Sequence, residues 1–374
     1  MNYLDNAATS FPKPPSVTRE LLRAVNEYGG NPGRGSHPLA MRAAETIYNC
    51  REALASFFGA RSPERVVFTL SATHALNLAI KGFFEEGGHV LLSELEHNAT
   101  RRPICRLCEE KKLSFDLFPV LDLDPEAIVQ GIEGRIRPNT RAVICTHGSN
   151  ICSITLPIAK IGALCRQRSL ALIVDAAQTA GHIPIHMEDM GIDALALPGH
   201  KGLYGIQGCG ALLLSERFSP RPLWEGGTGI ESLAEGMPLS PPERYEAGTL
   251  PTPAIATLWA GLRSFDHISL GEIHLHEKSL FRLARDRLES LGNIQIYAPE
   301  HEGAVLLFNK NGIPSVEVAR RLGEQGICVR AGLHCAPLAH QALGTPEEGA
   351  VRISFGRYNT REDLDLLWRA LRDP

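Results

Sequence analysis

Five short segments of the chain place polar side chains directly after apolar runs, where side chains can converge on a ligand. The first, "VVFTLSATHALNLAI", ends an apolar run at Leu70 and enters a helical pattern through Ser71, Ala72 and Thr73. Free backbone N–H groups at a helix start, with two hydroxyls beside them, suit an anion such as a phosphate. The second, "VLLSELEHNAT", brings Glu96 and His97 past a run end, and the third, "VICTHGSN", brings His147, Ser149 and Asn150. The fourth, "LALIVDAAQTAG", carries Asp175 and Gln178; a carboxylate straight after a buried run needs a cation or a proton-bearing partner. The fifth, "DALALPGHKGLYG", sets His200 and Lys201 before a Gly-rich turn, and a lysine held there is a candidate for a depressed pKa and Schiff-base chemistry.

Taken singly, each segment has an ordinary reading: an N-cap, a surface histidine, a capping aspartate, a solvated loop lysine. Taken together they match one ligand. A phosphate would sit at Ser71–Thr73, a protonated ring nitrogen against Asp175, and a ring face under His97. A phenolic oxygen would meet Gln178 and Asn150, and an aldehyde would condense with Lys201. Pyridoxal phosphate has those groups.

Positioning them falls to alternating strands and helices between about Val66 and Leu214. Strands are expected at Val66–Leu70, Val90–Ser93, Ala142–Thr146, Leu170–Val174, Ala194–Leu197 and Ala211–Leu214. Nearly continuous apolar strands separated by helical patterns imply a mostly parallel sheet covered on both faces, with ligands outside the strands' carboxyl ends. The stretch Trp224 to Pro253 is rich in Gly and Pro and reads as a long loop. Helical periodicity then returns, followed by short strands at Ala304–Phe308 and Val351–Ser354 and a helix from Ser315 to Gln325, an α+β pattern. Two domains are expected for 374 residues. The division is 15–252 for a large cofactor-binding domain, and 1–14 with 253–374 for a smaller one.

Composition narrows the class. Hydrophobic residues make up 44% and charged residues 21%, as in ordinary globular proteins, and the net charge of −4 offers nothing to nucleic acid or an anionic membrane. No apolar run is long enough to span a membrane, and the start "MNYLD" lacks the features of a secretory signal, so a cytoplasmic location is expected. The 9 cysteines are an odd number and read as reduced thiols. Cys105 and Cys108 form a C-x-x-C without a second ligand pair, on what looks like a surface helix. His182 and His186 have metal-pair spacing, but Pro184 between them argues against the helix that would join them. No metal site is expected.

Beyond these segments the sequence closely resembles the class V aminotransferase family, and within it the cysteine desulfurases. The resemblance runs through "YLDNAATSFPKP", "NPGRGSH", "EHNAT", "HGSN", "VDAAQ", "PGHKGLYG", "RYEAGT", "VRAGLHCAPLAH" and "VRISFGRYNT", nearly the whole chain. It implies an α/β fold of the pyridoxal-phosphate transferase type I, with a seven-stranded sheet, a smaller α+β domain and a homodimer whose active site lies at the subunit interface. It implies Lys201 as the Schiff-base lysine, Asp175 at the ring nitrogen, His97 stacked on the ring, and Gln178 and Asn150 near the phenolic oxygen. Ala72, Thr73, His200 and Thr249 would hold the phosphate, Thr249 from the partner subunit. The segment Arg330 to Ala336 looks like the sulfur-accepting loop of type II desulfurases, which makes Cys335 the persulfide carrier, and Arg352 matches the arginine for the substrate carboxylate, with Asn150 beside it. Departures from the type II pattern are Leu333 in place of a second His, Gly33 before the Arg-Gly pair, His74 after the phosphate turn, and "NICSI" in place of a Gly-Thr ending.

The implied activity is removal of sulfur from L-cysteine to give L-alanine, with a sulfur-acceptor protein as partner and a place in sulfur mobilisation and iron–sulfur cluster assembly. His97 is expected to relay protons because imidazole titrates near neutrality. His334 and Arg330 are expected to raise the thiolate fraction of Cys335, on a loop that the flanking Gly and Pro mark as mobile. Alternatives are a selenocysteine lyase, a class V aminotransferase for a small amino acid, and a non-catalytic sulfur-relay or scaffold protein.

Overall fold

The computed structural model describes residues 1–33, 35–121 and 123–372. Its centre is a seven-stranded sheet in the order Val66–Thr69, Gly210–Leu214, Ala194–Pro198, Ala171–Asp175, Thr140–Thr146, Gly88–Ser93, Leu113–Phe118. Only Gly210–Leu214 runs against its neighbours, so the other six strands end on one edge. The sheet is therefore mixed, with one reversed strand. The strand Leu113–Phe118 was not among those expected: it lies at the sheet margin, its four middle residues are only partly buried, and Ser114 and Asp116 interrupt the apolar run.

Side-chain alternation divides the apolar residues between two cores. Phe68, Leu91, Val143, Leu172 and Leu195 face one way, against the helices Pro38–Phe58, Ile158–Gln167 and Thr252–Leu262. Val67, Val90, Ile144, Ile173 and Leu212 face the other way, against Ala72–Phe83 and Asn98–Glu110. Register aligns the strand ends: Thr146 pairs with Asp175, and Asp175 with Ala196. The segment that reads as loop from Trp224 to Pro253 has no strand or helix before Thr252.

A second, antiparallel sheet has the order Arg330–Gly332, Ala350–Ser354, Val305–Lys310, Ile294–Tyr297. The helices Leu270–Glu289, Ser315–Glu324 and Arg361–Arg372 bury Leu280, Leu322 and Leu367 against its apolar face. The amino terminus joins this part of the chain. Asn2–Tyr3 pairs in parallel with Ile327–Cys328, and Leu4 O accepts from Ser354 N–H at 2.8 Å. Among the described residues no helix is long and apolar enough to cross a membrane. His182 and His186 are drawn apart: His182 meets the buried Glu277 at 2.8 Å, and His186 faces Asp189 at 2.9 Å.

Candidate active site

The carboxyl edge of the large sheet gathers the expected residues. Past Ala194–Pro198 the chain turns through Gly199 and His200 to Lys201. Packing in this turn is tight: a Cβ on Gly202 would stand 2.3 Å from Ala180 O, so only glycine fits. The amino-terminal segment clamps the turn from outside. His200 O accepts from Thr9 Oγ1 at 3.0 Å and from Lys13 Nζ at 2.7 Å, while His200 Nδ1 lies 3.1 Å from Thr9 Oγ1. Burial pulls the Lys201 amine down to about 8, with Asp175 opposing that shift. It also pulls His200 down to about 4 and Lys13 to about 8.

Asp175 closes the strand Ala171–Asp175. It is buried, accepts from Ala177 N–H at 2.9 Å, and is pushed above the usual carboxylate range by burial against the pull of Lys201. Gln178 donates its amide to Ala7 O at 3.2 Å. Beneath them Glu96 is fully buried. Its Oε1 accepts from Thr146 N–H at 2.7 Å and from Ser93 Oγ, and burial lifts it to about 8, so it is protonated at neutral pH.

His97 caps the helix Asn98–Glu110, its Nδ1 accepting from Ala99 N–H at 3.0 Å. That bond leaves the ring proton on Nε2. Burial, then the charges of Lys201, Arg330, Arg352 and Arg102, press its pKa down to about 4. The expectation that His97 titrates near neutrality is corrected accordingly: it is a neutral imidazole here. Ser71 caps the helix Ala72–Phe83 by accepting from His74 N–H. His74, a departure from the type II pattern, has a local structural use. Its Nδ1 accepts from Leu70 N–H at 3.2 Å and its ring stacks on Trp224 at 4.5 Å. Ala72 is buried at the first helical position, and Thr73 lines a cleft of about 370 Å³ together with His97 and Cys335.

Cys335 is exposed, in the turn between the strand Arg330–Gly332 and the helix Pro337–Ala342. Instead of the expected mobile loop, this is a short turn tied on both sides. Cys335 O accepts from Asn98 N–H at 2.7 Å, and His334 O accepts from Asn150 Nδ2 at 2.8 Å. Both His334 and Cys335 have left-handed backbone, with φ of 49° and 56°. The expected help from His334 is also corrected. Burial presses it down to about 3, so it is uncharged at neutral pH and brings no positive charge to the thiol.

Arg352 rises from the second sheet. It donates to Asn150 O at 2.8 Å and to Asp5 Oδ1 at 2.8 Å, and its buried Nε has no partner among the described residues. Asn150 thus links Arg352 to the Cys335 turn, and its buried Oδ1 is likewise unpartnered among the described residues. Sequence reasoning missed Asp5, Lys13 and the ring of His340 behind His334. Asp5 and Lys13 do stand in the "YLDNAATSFPKP" motif, so the motif was the available signal. Thr249 is not brought to this site within the chain. It lies in a separate cleft with Asn31, Gly33 and Arg51, 3.5 Å from Asn31 Nδ2.

The chain is similar to known proteins over nearly its whole length. The chain is 34% identical over 382 residues to a probable cysteine desulfurase of Methanothermobacter thermautotrophicus, covering 99% of this chain and 94% of that protein. It is 32% identical over 376 residues to a cysteine desulfurase of Escherichia coli, covering 98% and 91%. Against a longer probable cysteine desulfurase of Mycolicibacterium paratuberculosis it is 32% identical and spans 55% of that protein's length. Among solved structures, the apo cysteine desulfurase of Thermococcus onnurineus NA1 superposes with a TM-score of 0.92 at 30% identity, covering 99% of this chain and 94% of that one. The family model for class-V aminotransferases matches residues 2–367, and the chain belongs to that family.

Proposed function

We propose that this protein is a pyridoxal-phosphate-dependent cysteine desulfurase that carries the released sulfur on Cys335. The observation that supports it most is the place of His97: it lines a cleft with Thr73 and the exposed Cys335, and it lies near enough to Lys201 for that amine's charge to lower its pKa. The residues also fit the cofactor. Asp175 is a buried carboxylate suited to a cationic ring nitrogen, Asn150 Oδ1 is a buried acceptor without a donor among the described residues, and the amine at Lys201 is lowered toward its free base.

Bound there, pyridoxal phosphate supplies an electron sink for charge developing at the substrate α-carbon. Lys201 would hold the cofactor through its amine, and its Nζ, lowered toward the free base, would take the substrate α-proton. Asp175 would keep the ring nitrogen protonated by offering it a buried negative charge. His97 lines the cleft beside Cys335 and would cover the ring face. Arg352 binds the substrate carboxylate through N–H groups beyond those given to Asn150 O and Asp5. Cys335 would attack the substrate sulfur as thiolate: the new S–S bond forms as the Cβ–S bond breaks, the pair left on Cβ takes one proton, and Lys201 Nζ returns the α-proton to Cα to give alanine.

Purified protein supplied with pyridoxal phosphate and L-cysteine should form alanine and a persulfide on Cys335. Cys335→Ser should bind the cofactor with unchanged absorbance and lose sulfur release. Undiminished turnover in that variant removes Cys335 from the chemistry. Activity retained on L-selenocysteine alone points to a lyase, and keto-acid-dependent amino transfer to an aminotransferase.

A further inference from the structure

Behind the Cys335 turn lie two histidines that the proposed chemistry does not use. His334 is 7% exposed and His340 2%. Their rings lie nearly parallel, 13° apart, with centroids at 5.5 Å. His334 Nδ1 is 3.2 Å from His340 Nε2, and His334 Nε2 is 3.3 Å from Arg330 O. His340 Nδ1 is 2.8 Å from Thr345 Oγ1.

These contacts admit one proton arrangement. A carbonyl only accepts, so His334 carries its proton on Nε2 and donates to Arg330 O. In a neutral ring its Nδ1 then only accepts, so His340 Nε2 is the donor. His340 Nδ1 must accept in turn, from the Thr345 hydroxyl at 2.8 Å, which lies farther from its other acceptors, His340 O at 3.3 Å and Pro346 O at 3.5 Å. Burial and the nearby Arg352 charge disfavour a second proton on either ring, holding His334 at about 3 and His340 at about 4. The array therefore runs in one direction, from Thr345 through His340 and His334 to the backbone at Arg330.

The turn needs such support. Two successive non-glycine residues with left-handed backbone are sterically disfavoured, since each Cβ crowds the following carbonyl. Asn150 and Asn98 hold the carbonyls of His334 and Cys335, while among the described residues the hydrogen bonds to the His334 ring come from the array. We propose that His340 and Thr345 are positioning residues for sulfur transfer, locking His334 so that the Cys335 thiol faces the cleft. This rests on the desulfurase reading above.

The test uses holoenzyme with four substitutions. His340→Phe and Thr345→Val remove a donor; His340→Gln and Thr345→Ser keep one. The first pair should form persulfide on Cys335 about fivefold or more slowly, read by intact-protein mass spectrometry, since a lost buried hydrogen bond is worth roughly 1 kcal/mol. The second pair should stay within about twofold on the same ground. Cofactor absorbance and α-proton exchange on alanine, which needs no Cys335, should be unchanged in all four. Thr345→Val, nearly isosteric, decides the matter if His340→Phe does not fold. Nitrogen-15 NMR should find His334 protonated on Nε2 in the parent, with mixed tautomers in Thr345→Val. Unchanged persulfide formation in the donor-removing pair, or an equal loss of α-proton exchange, overturns the proposal. Absence of persulfide from the parent enzyme instead sinks the desulfurase reading. Positioning is then read from the alkylation rate of Cys335 by iodoacetamide, and equal rates in parent and Thr345→Val overturn it.

Discussion

Lys201 and Arg352 show how single side chains are prepared by their surroundings. Burial draws the Lys201 amine down to about 8, so a useful fraction is free base near neutral pH. Only the free base attacks an aldehyde. Uptake of pyridoxal phosphate by apoprotein should therefore accelerate as pH rises toward about 8 and level off above it, followed by absorbance. A rate indifferent to pH through that value would contradict the assignment of the amine. Arg352 is held by Asp5 and by Asn150 O, each at 2.8 Å. A lysine cannot span both and still offer a fork to a carboxylate. Arg352→Lys should raise the KM for cysteine by about tenfold or more with cofactor absorbance kept, because charge-assisted bonds of this kind are worth roughly 1.5–3 kcal/mol. Asp5→Asn should raise it less. An unchanged KM in Arg352→Lys would detach this arginine from substrate binding.

At the scale of elements, the strand ends and helix starts do the placing. Strands buried on both faces read plainly in the sequence as apolar runs, and the polar residues after them mark the binding edge. The marginal strand Leu113–Phe118 escaped because partial burial permits polar residues along it. The Cys335 turn misled for another reason. Flanking Gly and Pro signal a turn, yet they cannot report that Asn98 and Asn150, far away in sequence, tie it down. Asn150→Ala leaves His334 O without its donor and should slow persulfide formation by about fivefold or more, as a lost hydrogen bond at a buried group costs roughly 1–3 kcal/mol. Equal rates in mutant and parent would show the turn holding without that bond.

Across the whole molecule, neutral buried histidines link stability to acid. His147, His334 and His340 are each no more than 7% exposed, and burial holds them at about 4, 3 and 4. Once unfolded, each returns to about 6.5 and binds a proton more readily than in the folded chain. Their contribution is complete above about pH 6.5 and lost as pH falls toward the folded values, with a limiting slope of about 1.4 kcal/mol per pH unit for each. Urea midpoints should therefore fall steadily as pH drops below about 6.5, and His340→Gln should soften that slope. A midpoint constant across that range would show these rings reaching water. Thr249 belongs to the same scale. It sits within the chain in a cleft with Asn31, Gly33 and Arg51.

Residue identity and order alone determined the cofactor-type chemistry, the family and the alternation of strands and helices. Those follow from local pattern: apolar runs, helix-start residues, and motifs whose spacing stays legible along a line. Charge states and loop restraint were decided only by the tertiary structure. His97 and His334 become neutral because burial withholds water from them, and the Cys335 turn is held because distant segments donate hydrogen bonds to it. Desolvation and long-range contact are properties of packing in three dimensions, which neighbours along the chain do not report.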